Sequence, residues 1–71
     1  MKVYEVDDCG RIEEVGAESF EEAAEVWMAK FTPEEESGTV FVTDTTIGLR
    51  RKVVVYAEKN ITYTYYARII E

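Results

Sequence analysis

Ser19-Phe20-Glu21-Glu22-Ala23-Ala24-Glu25-Val26-Trp27-Met28-Ala29-Lys30-Phe31 is the stretch whose reading decides the fold. Ser19 can accept a hydrogen bond from an early helical N–H, and Glu22, three residues on, can return one, as in a capping box. Glu21 and Glu22 offset the positive helix end, and Lys30 offsets the negative one. At about 100° per residue, Phe20, Ala23, Ala24, Trp27 and Phe31 fall in one arc with Met28 at its edge, opposite Glu21, Glu22, Glu25 and Ala29. Thr32-Pro33 ends the helix, because the residue before proline is driven out of the helical region. Trp27, in mid-arc, is expected to be the residue most buried against a sheet; the competing reading is an exposed anchor for a partner, a role in which Trp is enriched.

On either side of this helix the chain alternates like β-structure. Before it, Met1–Asp8 reads as a strand with Tyr4 and Val6 inward, Asp8-Cys9-Gly10 as a turn, and Arg11–Ala17 as a weaker strand with Ile12 and Val15 that folds back as a hairpin. After it, Pro33–Gly38 is an acidic loop, Thr39–Asp44 a strand and Asp44–Gly48 a turn. Leu49–Glu58 is a strand apolar on both faces at Val53-Val54-Val55, and Lys59-Asn60 is a primed hairpin turn into the last strand, Ile61–Ile70. The expected architecture is α+β: an antiparallel sheet of four to five strands, built from a β-hairpin, the single helix and then a three-stranded meander, with the helix on one face. One helix covers one face only. Phe41, Val54, Tyr56, Tyr66 and Ile70 cannot share a side with Val40, Val42, Val55, Tyr65 and Ile69, so an aromatic second face is left over. It is either an interaction site or a surface shielded by long cationic stems and Thr methyls.

Seventy-one residues make a single domain, 1–71, whose small core needs dense packing or self-association to be stable. Cys9 is alone and there is no His, so neither an internal disulfide nor the usual Cys/His zinc site can form. With neither a leader-like opening nor an apolar run near the ~20 residues of a membrane span, a soluble, cytoplasmic protein without a membrane partner is expected. The net charge of −7 is unevenly placed. Residues 1–38 hold twelve acidic groups against three basic ones, a net of −9, while residues 39–71 hold three against five, a net of +2. Such a surface repels phosphate and favours a basic partner, or serves solubility alone.

The chemistry-bearing motifs are sparse. Asp7, Asp8, Glu13 and Glu14 lack calcium-loop spacing, and acidic neighbours would raise rather than lower the pKa of Cys9. The four glycines are scattered one per turn, so no phosphate loop exists. No cofactor and no catalytic or metal-binding residue is expected, and the chain reads as non-enzymatic. Arg50-Arg51-Lys52 alternates faces. With Lys59, Arg68 and Tyr63, Tyr65 and Tyr66 it is a weak version of a single-strand stacking platform, and the acidic first half argues against direct nucleic-acid binding. Protection of a sheet edge is the preferred role for these cations.

The segment Val15-Gly16-Ala17-Glu18-Ser19-Phe20-Glu21-Glu22-Ala23-Ala24, followed by short strands ending Tyr65-Tyr66-Ala67-Arg68, resembles small acidic proteins of phages and other mobile elements, among them anti-CRISPR proteins with a helix packed on an antiparallel sheet. The resemblance implies an inhibitor that binds a basic surface of a nucleic-acid-handling complex, and a cytoplasmic site of action in the host cell. Glu21, Glu22, Glu25, Glu34, Glu35 and Glu36 are the expected steering charges, and Tyr56 and Tyr66 the expected aromatic contacts. The alternative is a homodimeric structural or regulatory domain of a prokaryotic cell, joined through the second face or the edge of the last strand.

Overall fold

The computed structural model describes residues 1–33, 35–59 and 62–71. Five strands and one helix follow in the order β1 (Lys2–Asp8), β2 (Arg11–Ala17), α1 (Phe20–Phe31), β3 (Ser37–Asp44), β4 (Leu49–Lys59) and β5 (Tyr63–Ile69). The strands form one antiparallel sheet in the order β2-β1-β3-β4-β5. The β1–β2 hairpin and the β3–β4–β5 meander are therefore joined edge to edge through β1–β3, with Val6 opposite Val42 and Asp7 opposite Phe41. The fold is α+β, with α1 lying across one face.

The helix starts as its capping residues require. The backbone N–H of Glu22 donates to Ser19 Oγ at 3.1 Å, and Glu22 Oε1 accepts from the N–H of Glu18, also at 3.1 Å. At the other end the N–H of Thr32 closes on the Met28 carbonyl. Ala23, Ala24, Trp27 and Met28 are buried against Tyr4, Val6, Val15, Val40, Val42, Val53 and Val55, which point from alternate positions of β1–β4 into the same core. Trp27 is 3% exposed. Two helix positions differ from the arc reading: Met28, placed at its edge, is fully buried, and Phe31, placed within it, lies at the surface beneath the Lys30 ammonium.

The first hairpin turns on two left-handed residues, Cys9 at φ 52° and Gly10 at φ 94°. That is the primed geometry whose twist suits two strands joined by two residues. Asp7 Oδ1 accepts the Gly10 N–H at 2.8 Å and holds the turn. In β2, Arg11, Glu13, Val15 and Ala17 share the helix side, and Ile12 points to the other face and is exposed, not inward beside Val15. Lys59, expected in the turn, instead ends β4 opposite Tyr63, the first residue of β5, so the expected two-residue connection is not formed; Asn60 and Ile61 fall outside the described residues. Arg50, Arg51 and Lys52 lie on β4, which is flanked by β3 and β5. An interior strand has no edge to protect, so that reading of these cations is overturned.

Candidate protein-binding surfaces

Strand alternation sorts the chain into two sides of different character. On the helix side the acidic groups of α1 and of the loop after it predominate. On the uncovered side stand Glu5, Asp7 and Glu14 from β1 and β2, and Arg50, Lys52 and Arg68 from β4 and β5, with Phe41, Val54, Tyr56, Tyr66 and Ile70 among them. The rings of Tyr56 and Tyr66, paired across β4 and β5, stack at 5.5 Å. Arg50 sits 4.4 Å over the Phe41 ring and 3.3 Å from Asp7 Oδ2, spanning β3.

The carboxylates singled out by sequence do not form one patch. Glu21 and Glu22 stand on the first turn of α1, whereas Glu35 and Glu36 follow its last turn, more than ~12 Å away along the axis. Glu34 lies outside the described residues. Glu22 is engaged in the cap. Glu25 is engaged too: its Oε2 accepts the Ala67 N–H of edge strand β5 at 3.0 Å. Burial pushes the Glu25 carboxyl up from its ordinary value; the Ala67 N–H opposes this in part, and the charges of Glu22 and Glu21 add to it. Glu25 is therefore a clasp between helix and sheet edge, and Glu21, Glu35 and Glu36 are left as the exposed or half-exposed charges without such a duty. Tyr56 and Tyr66 are on the opposite side of the sheet from all of them.

A feature that residue spacing did not reveal lies between the end of α1 and the start of β3. A cavity of about 210 Å³ is lined by Trp27, Met28 and Val40, with Thr32, Ser37, Gly38, Asp8 and Glu35 completing it. Neither carboxylate has a cation within ion-pair distance among the described residues. Trp27 Nε1 and Thr32 Oγ1 are buried without a hydrogen-bond partner, a condition that costs about 1–3 kcal/mol per group. Asp8 reads in sequence as part of a solvated turn; it reaches this cavity because β1 pairs with β3, a long-range choice that no local signal carries. Chemically the arrangement suits a cation with an aliphatic stem: the side chains of Trp27, Met28 and Val40 for the stem, and two carboxylate residues for the charge.

Among the described residues no three acidic, Cys or His side chains converge on a metal-sized site, and no helix is long and apolar enough to cross a membrane. Cys9 is exposed at its turn. Compared with known proteins, the chain matches no family model, no curated protein and no solved structure.

Proposed function

We propose that this chain is a non-enzymatic protein-binding module whose acidic helix side engages a basic segment of a partner, one Lys or Arg of which enters the cavity between α1 and β3. The observation that carries this reading is the pair of carboxylate residues, Asp8 and Glu35, that line one cavity with Trp27, Met28 and Val40 and have no ion-pair partner among the described residues. The remaining acidic groups steer the encounter and affect on-rate more than final affinity. In the setting suggested by its resemblance to phage and mobile-element inhibitors, the partner surface is one that otherwise holds nucleic acid, and the module acts in the host cytoplasm as an inhibitor.

Trp27 is the sole Trp, so its indole N–H is a single, unambiguous NMR probe. Titration with a short Lys/Arg peptide should move that resonance saturably. The Asp8→Asn, Glu35→Gln double variant should lose the shift, while Glu21→Gln keeps it and only weakens the salt dependence of association. An indole resonance that stays in place at saturating peptide would overturn the assignment.

A further inference from the structure

The uncovered face of the sheet is divided by charge: its β2–β1 half carries Glu5, Asp7 and Glu14, its β4–β5 half carries Arg50, Lys52 and Arg68 with one strand carboxylate, Glu58, and the two halves are complementary. On its β2–β1 half, Glu5 and Glu14 stand directly opposite one another in register. Such a like-charge pair weakens a hairpin, and neither has a cation within ion-pair distance among the described residues. On the β4–β5 half, Lys52 and Arg68 likewise have no acidic partner among the described residues. Between the halves runs β3, with Phe41 aligned to Asp7 on one side and to Lys52 on the other. Val3, Ile12, Phe41, Tyr56, Tyr66 and Ile70 add apolar surface, each roughly two-fifths exposed or more.

We propose that this face joins two copies of the chain, sheet against sheet, about a two-fold axis running along β3. Rotation about that axis exchanges the halves at constant register. Asp7 of one copy meets Lys52 of the other, Glu5 meets Arg50, and Phe41 meets its counterpart at the centre, an isologous contact. An axis across the strands would set Glu5 and Glu14 against themselves, so charge selects the first orientation, which is also the near-aligned packing of β-sandwiches. The β5 edge is a poorer route to a dimer, because Glu25 occupies the outward Ala67 N–H. Nucleic acid is a poorer occupant, because acidic groups on this face (Glu5, Asp7, Glu14 and Glu58) outnumber its cations. Molecular extents of 37 × 23 × 20 Å limit the contact to about 700 Å² per copy, just under a standard interface, so a reversible, concentration-dependent dimer is expected. This dimer uses the face opposite the cavity and stands or falls independently of the function proposed above.

Sedimentation velocity from ~1 to ~300 μM should carry the wild-type chain from monomer to dimer. A variant with Glu5→Lys, and a second with Arg50→Glu, should each melt cooperatively yet weaken self-association at least tenfold. Mixed in equal amounts, they should recover a dimer, because each now carries the charges the other lacks. A wild-type chain that remains monomeric at ~300 μM, a mixture that fails to associate, or a monomeric chain that instead binds a labelled oligothymidylate would overturn the proposal.

Discussion

Trp27 is a core residue, as its spacing along the helix implies, although Tyr4, Met28 and the valines at Val6, Val42, Val53 and Val55 are buried still more completely. It is 3% exposed and packs with Met28 and Ala24 over the valines of β3 and β4. Trp27→Ala should cost about 3–5 kcal/mol, comparable with the whole stability of a chain this size at roughly 0.05–0.15 kcal/mol per residue. The expected outcome is loss of a cooperative thermal transition by circular dichroism. A variant that melts like the parent would show that Trp27 is not a core residue. Glu25 makes the opposite point. Its carboxyl titrates above the usual value because burial and the charges of Glu22 and Glu21 disfavour the anion. A raised folded-state pKa means this group's contribution to stability is greatest below the unfolded value and is lost as pH rises through the folded one. Glu25→Gln retains an acceptor for the Ala67 N–H and removes the anion. It should melt a few degrees higher than wild type at pH 7, and that advantage should vanish below about pH 4. A lower melting point at pH 7 would mean the charge itself supports the clasp.

At the level of elements, the β1–β2 hairpin and the β5 edge carry the testable features. Cys9 holds φ 52°, a region that Asn tolerates better than most residues, and Asn-Gly is the favoured pair for a primed two-residue turn. Cys9→Asn should therefore stabilise the chain by roughly 0.5–1 kcal/mol, or about 4 °C in melting midpoint; a fall in midpoint would refute the turn assignment. On β5 the outward amides face away from β4, yet that of Ala67 is held by Glu25 Oε2 at 3.0 Å. Amide exchange at Ala67 should be slower than at Tyr65, two positions away on the same edge, and Glu25→Ala should abolish the difference. Equal rates in the wild-type chain would show that the clasp does not persist in solution.

For the whole molecule, repulsion outweighs pairing. Three ion pairs are present among the described residues, each with at least one well-exposed partner, against a net charge of −7. Exposed pairs contribute little, whereas self-repulsion is relieved by screening. At ~0.5 μM protein, where a weak dimer is largely dissociated, the melting midpoint should rise between ~20 mM and ~0.5 M NaCl. A fall would mean that specific pairs, Lys2–Asp44 foremost because Asp44 is buried, outweigh the general repulsion.

Local chemistry determined the helix, its cap, its stop at Thr32-Pro33 and the alternation of the strands, because these depend on neighbours within about four residues. It also determined that a second face would remain uncovered, since one helix cannot cover both sides of a sheet, and that Arg50 and Lys52 would share a face without Arg51. Tertiary structure alone decided the rest. Pairing of β1 with β3 made β3 an interior strand and carried Asp8 to the cavity beside Trp27; both are consequences of strand order, which alternation leaves open. Placement of α1 over β4 and β5 turned Glu25 from a steering charge into a clasp and left Phe31 beyond the core. The separation of opposite charges on the uncovered face arises in the same way. Each strand contributes residues of little meaning alone, and only the lateral order of five strands sets acid on one half and base on the other.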